Sequence, residues 1–199
     1  MNRVRIVLAV ALVLMLSSLA MSAPESSQLG PYGITFDLNT DLGYTVTELE
    51  PQVMESSTIY VLQISTDNTT GANVVINQFN GLIDATFAPQ KQISIMEAAL
   101  NLYNVTSLDD IIIDEREGYI ISAIPASFNT MVPADLNRYE AVYWLDSVQC
   151  DCGPVSVGTT RVGITSTYPE DVTMNLINSL RIVKGEAVAA ANAQVLPPA

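Results

Sequence analysis

Ser57 to Phe79 reads STIYVLQISTDNTTGANVVINQF. Two apolar runs flank a polar centre. Ile59, Tyr60, Val61, Leu62 and Ile64 form a nearly continuous run, the pattern of a strand covered on both faces. Val74, Val75, Ile76 and Phe79 form the second, with Asn73, Asn77 and Gln78 interleaved. Asp67, Asn68, Thr69, Thr70 and Gly71 between them are turn formers. The stretch predicts two buried strands joined by a turn. They can pair within one molecule or, where an edge is open, between molecules.

Upstream, positions 23–30 read as a short polar leader. Tyr32 to Leu38 and Gly43 to Glu50 read as two strands turning at Asn39-Thr40-Asp41. Downstream, Gly81 to Pro89 reads as a connection. Gln90 to Tyr103 reads as a helix whose stripe Ile93, Met96, Leu100 and Tyr103 faces the core. Leu108 to Asp114 and Tyr119 to Ile124 form a predicted hairpin, and Pro125 to Asn137 a loop. Arg138 to Val148 and Val155 to Ser166 read as strands on either side of a tight turn at 150–154. Pro169 opens a second helix, with Glu170 and Asp171 in its first turn, Val172, Leu176 and Leu180 inward, and Arg181 and Lys184 towards its end. Leu180 to Val183 can close as a short strand. The order of strands, helix, strands, helix predicts an α+β fold, a mainly antiparallel sheet with two helices packed on it.

The chain has 199 residues, which suits a single domain over 31–184. Positions 1–22 carry Arg3 and Arg5, an apolar run from Ile6 to Leu16 and small residues after it, the pattern of a secretory signal peptide cleaved after Ala20 or Ser22. No second apolar span follows, so the processed chain is expected not to span a membrane and to act outside the cell or at its surface. Positions 185–199 form an Ala/Pro-rich tail. The net charge of −13 argues against nucleic acid and anionic lipid as partners. Asn68 and Asn104 stand in glycosylation sequons.

Catalytic chemistry is poorly provided for. Histidine is absent, which removes the usual general base and the commonest transition-metal ligand. Asp109, Asp110, Asp114, Glu115 and Glu117 gather around one hairpin, where a solvated turn explains them better than a glycosidase pair. The reading is that of a protein that is not an enzyme and needs no cofactor. One metal candidate remains: Asp37, Asn39, Asp41 and Glu48 fall at calcium-loop spacing, but Leu42 holds the position where glycine is required. Cys150 and Cys152 are the only cysteines; a bond between them, a bond to a second chain, or a metal shared with another copy are all open. The windows Thr58 to Ile64 and Val74 to Phe79 combine β-branched residues with amides and no charge, a composition that can stack between chains.

The ending Arg161-Val162-Gly163-Ile164, Tyr168-Pro169-Glu170-Asp171 and Leu180-Arg181-Ile182-Val183 resembles, with the element order, the PsbP/Mog1 family of α/β/α sandwiches. That resemblance implies a binding or accessory role, with the loop 125–137 and the strand around Trp144 as the surface, and it transfers no site residue. In overall character, and in VLQISTDNTT and NVVINQFNG, the chain is similar to the major sheath proteins of filamentous methanogenic archaea. That likeness implies a secreted structural subunit of the cell envelope whose partner is itself. Its spine would be Ile59, Val61, Val74, Ile76 and Phe79, and its cross-links Cys150 and Cys152.

Overall fold

The computed structural model describes residues 24–66, 69–127, 132–151 and 153–185. In chain order the elements are β1 (Glu25–Leu29), β2 (Tyr32–Phe36), β3 (Thr45–Glu48), β4 (Gln52–Val53), β5 (Ser57–Ser65), β6 (Gly71–Asp84), α1 (Phe87–Leu100), β7 (Tyr103–Ile113), β8 (Arg116–Pro125), β9 (Arg138–Trp144), β10 (Val148–Gln149), β11 (Ser156–Ser166), α2 (Glu170–Ser179) and β12 (Arg181–Lys184). The main sheet runs β3–β5–β6–β11–β9–β8–β7, with β4 added to β5 and β10 to β11. A second sheet runs β1–β2–β12. Every pairing is antiparallel.

Alternate residues of a strand face opposite sides, so register assigns each side chain to a face. Leu62 opposes Val74, Val74 opposes Ile164, and Ile164 opposes Ala141. This row lies on the inner face, in one cluster with Tyr32, Ile34 and Phe36 of β2 and Val172, Leu176 and Ile177 of α2. The small sheet and α2 together cover that face. Each aliphatic side chain fully buried there contributes roughly 1.5–3 kcal/mol. Tyr119 and Val142 point the other way, to the outer face, where α1 packs. The two helices thus lie on opposite faces of the main sheet, which is the α+β arrangement that the order of elements predicts.

Several expectations are corrected. The polar leader includes a strand, in which Ser26 to Gln28 pair with β2 opposite Thr35 to Gly33. The strands around Asn39-Thr40-Asp41 do not form a hairpin: β2 pairs with β1 and β12, whereas β3 pairs with β5 in the other sheet. The supposed connection 81–89 is the end of β6 and the first turn of α1, since Pro89 sits where a helix needs no amide donor. Three residues of the stripe assigned to the core lie on the solvent face of α1, with Ile93 51%, Met96 62% and Leu100 79% exposed, whereas Tyr103 is buried as expected but as the first residue of β7. Small residues, Ser94 and Ala98, face the sheet and let the helix sit close. β5 is not covered on both faces, because Ile59 and Val61 are only half-buried while Leu62 and Ile64 are fully buried.

The acidic hairpin is also more than a solvated turn. Asp114 and Glu115 form its two-residue corner with φ of 50° and 64°, the left-handed geometry favoured by hairpin twist. Glu115 and Glu117 are exposed, but Asp114 is buried. Its carboxylate accepts from Arg116 Nη1 at 2.8 Å and from the backbone amide of Ile182 at 3.3 Å. Burial pushes the Asp114 carboxyl up, and those two donors only partly offset it. The hairpin corner is thereby tied to β12.

Candidate functional site

Helix α1 packs on β7 and β8 and covers only part of the outer face. Three cross-strand rows run out from beneath it across β11, β6 and β5. One row is Val142, Gly163, Val75 and Val61; another is Trp144, Arg161, Asn77 and Ile59; the third is Glu140, Thr165, Asn73 and Gln63. The first residue of each row is buried. The rest are half-buried, and Gln63 is exposed. Among the described residues no element lies over this half. It presents an apolar ridge, narrowed at Gly163, between two polar rows. None of its three rows over β5, β6 and β11 carries a carboxylate, in a chain of net charge −13.

Under α1, side chains rather than apolar contact alone fix the helix. Ser94 Oγ donates to Glu140 Oε1 at 2.9 Å and lies 3.0 Å from the Tyr119 hydroxyl. Burial pushes the Tyr119 phenol up, and Ser94 and Arg161 ease that shift. The indole N–H of Trp144 donates to Gln90 Oε1 at 3.3 Å, and its ring stacks on Phe79 at 6.1 Å. Ser94 is 1% exposed and Trp144 likewise, so no substrate reaches either. The network positions the helix. Trp144 is therefore not the exposed aromatic surface expected from the sequence.

At the β5–β6 turn end of the open half, the sheet sinks into a polar recess of about 230 Å³. Its lining includes Gln63, Ser65, Asn73, Arg138, Thr165 and Thr167. Gly71 forms part of the floor: a Cβ there would lie 2.7 Å from the Ile64 carbonyl oxygen, so only glycine fits. The Gly71 amide donates to Thr167 Oγ1 at 3.0 Å, which donates in turn to the Thr69 carbonyl at 2.9 Å. Arg138 lies over the Tyr103 ring at 6.0 Å, and its Nη2 is 3.9 Å from Glu140 Oε2. Its Nε is buried and has no hydrogen-bond partner.

The residues singled out from sequence separate in space. Ile59 and Val61 lie on the open face, Val74 and Ile76 are fully buried in the core, and Phe79 is half-buried against Trp144. They do not form an edge. β5 is paired on both sides, by β6 and by β3 and β4, and β6 by β5 and β11. The expected spine is thus interior, because a long chain excursion returns β11 to the free side of β6. The calcium set is not assembled either. Asp37 Oδ1 accepts the Asn39 amide at 2.9 Å, whereas Glu48 Oε1 accepts from Ser27 Oγ of β1 at 2.5 Å. Asp41 is exposed, and among the described residues no three acidic, cysteine or histidine side chains converge on a metal position.

Cys150 is disulfide-bonded; Cys152 lies outside the described residues. Asn104 is exposed near the start of β7, and Asn68 lies outside the described residues, as do the signal segment 1–22 and the tail from 186 onward. Among the described residues no helix is long and apolar enough to cross a membrane.

Sequence reading missed Arg138 and Gly71. Its only signal for the recess was the polar residues at alternate positions of three strands, and these align only once register is known. No protein-family model and no curated protein sequence matches this chain.

Proposed function

We propose that this chain is a secreted, non-catalytic binding domain of the cell envelope, built as a PsbP/Mog1-like α/β/α sandwich, and that it holds its ligand on the open half of the outer sheet face. One observation carries the reading: α1 leaves β5, β6 and β11 uncovered, with a ridge of Val61 and Val75 between polar rows. A half-buried apolar ridge flanked by hydrogen-bonding side chains is the composition of a recognition surface. Among the described residues the three rows over β5, β6 and β11 carry no carboxylate, and this, with Arg138 and Arg161, favours a neutral or anionic ligand in an otherwise acidic protein. The family likeness rests on the ending, where β11, α2 and β12 follow one another as strand, helix and strand.

The test is retention of the purified chain on the envelope fraction of its source cells. Val61→Glu and Arg161→Glu should abolish retention while circular dichroism stays unchanged. Full retention by both folded variants overturns the reading.

A second reading, the self-assembling sheath subunit, is favoured by a different feature. β7 is the end strand of the main sheet, eleven residues long, and its Ile112 is 63% exposed. Edge strands of this length are templates for another chain. Assembly by this route joins β7 edges and leaves β5 and β6 inside each subunit. Hydrogen exchange on material stripped from the cell surface, against the dissociated chain, separates the alternatives. Protection gained along β7 supports edge pairing; no gain in β7, or a changed pattern in β5 and β6, removes it.

A further inference from the structure

We infer that the free edge of β7 is a docking site for an extended basic segment of another protein, which joins the main sheet as an added strand. The inference is independent of the open-face reading. β7 ends the main sheet, runs for eleven residues, and among the described residues has no strand beyond it. Among the same residues its backbone bonds run to β8 alone, so the N–H and C=O groups on its other side are unpaired. A strand laid along such an edge makes a row of main-chain hydrogen bonds, and side chains then decide which strand is accepted.

The side chains of this edge ask for cations. Ile113 belongs to the inner cluster and Leu108 packs with Phe87 on the outer face, so alternation puts Asp109 and Ile111 on the inner side and Asp110 and Ile112 on the outer side. Each side of the edge thus carries a carboxylate followed by an isoleucine. Asp109, Asp110 and Ile112 are exposed, as are Glu115 and Glu117 at the adjoining corner. The two neighbouring cations are already bonded, Lys91 to Asp110 and Arg116 to Asp114 and the Leu145 carbonyl. Beside Ile112 a hollow of about 510 Å³ has Phe87, Ile112 and Gly118 in its lining together with Glu117. An antiparallel strand that reads two apolar residues and then two cations places its cations opposite Asp109 and Asp110 and its apolar pair opposite Ile111 and Ile112. A second copy of the chain fits worse. Full antiparallel overlap of two β7 strands sets Asp109 and Asp110 opposite Ser107 and Thr106 and crowds four carboxylates about the centre, and like charges at cross-strand distance destabilise a pair. β12 carries Arg181 and Lys184, but it has only four residues and its Ile182 amide is already given to Asp114.

The experiment titrates the purified chain with the peptide Ser-Thr-Val-Val-Lys-Lys-Thr-Ser and with its Glu-Glu counterpart, followed by amide chemical shifts and hydrogen exchange. The Lys-Lys peptide should bind about tenfold or more tightly than the Glu-Glu peptide, and it should shift and protect the amides of β7. Two further forms of it carry N-methyl groups on every second residue, in opposite phases. One should lose binding and the other keep it, because only one set of amides faces β7, whereas both keep the charge. Asp109→Lys should weaken the Lys-Lys peptide about tenfold or more with circular dichroism unchanged. Asp41→Lys, the same charge change on the exposed loop after β2, should leave its binding as in the parent. Equal binding of the two peptides, tolerance of N-methylation in both phases, an equal loss with Asp41→Lys, or shifts on β5, β6 and β11 in place of β7 overturns the assignment. Protection of β7 that grows with chain concentration and without peptide overturns it too, and gives the edge to a second copy.

Discussion

Gly158→Ala is predicted to destabilise the fold by about 1–2 kcal/mol. Gly158 is buried on β11 beside a register shift, and a Cβ there would lie 2.8 Å from Trp144 Cε3 and 3.2 Å from Asp146 Oδ1. Neither neighbour yields freely. The Trp144 ring is held between Phe79 and the Gln90 amide, and Asp146 Oδ1 already accepts the amides of Thr159 at 3.0 Å and Thr160 at 2.9 Å. Burial alone would raise the Asp146 carboxyl, but the Thr159 and Thr160 donors hold it below the usual range, so displacing it forfeits those bonds. Overpacking of this kind costs typically about 1–3 kcal/mol. Two neighbours that cannot give way put this case at about 2–3 kcal/mol within that range, and replacing glycine returns up to about 1 kcal/mol by restricting the unfolded chain, which leaves about 1–2 kcal/mol. For a domain of this size that is a drop in Tm of roughly 2–8 °C. Trp144 is the only tryptophan, so its fluorescence during urea unfolding reports both the stability and the local repacking. The double variant with Trp144→Phe, followed by circular dichroism, should lose less than the sum of the single changes, because the smaller ring vacates the clash. A loss below about 0.5 kcal/mol with unshifted emission, the range of ordinary surface changes, would mean that the added methyl meets neither Trp144 nor Asp146.

Two further outcomes follow from the helices and the hairpin corner. Leu176→Ala should cost about 2–5 kcal/mol, since Leu176 is fully buried between α2 and both sheets, whereas Met96→Ala on the outer side of α1 should stay within about 0.5 kcal/mol; denaturant midpoints measure both, and a cost at Met96 equal to that at Leu176 would contradict the assignment of helix faces. Burial raises the folded carboxyl of Asp114 above its unfolded value near 3.9, so the folded state holds the proton more tightly and this residue's contribution to stability falls as pH rises from that value through the folded one. Asp114→Asn should remove that downward component from the stability–pH curve; a parent curve that instead gains stability over the window relative to the variant rules it out.

Local sequence determined the pieces of this protein. Alternation and turn residues over 57–79 were enough for β5, β6 and their pairing, because neighbouring strands joined by a short turn have little choice of partner. Pro169, the acidic first turn and the Val172–Leu176 spacing were enough for α2, whose apolar side has only one burial to make. Tertiary structure decided the rest. Ile93, Met96 and Leu100 have the period of a buried stripe, yet Ser94 and Ala98 face the sheet, because bonds to Glu140 and Tyr119, residues remote in sequence, set the rotation of α1. Asp114 looked like any turn acid until β12 arrived to donate its Ile182 amide. Gln63, Asn73, Thr165 and Arg138 stand on four strands, and no local pattern relates them. Their convergence on one recess comes from the register of β5, β6, β11 and β9, which is fixed only when the inner faces of those strands bury together against the small sheet and α2. Short-range periodicity specifies elements; the placement of a site spread over non-adjacent strands is specified by the packing of the whole.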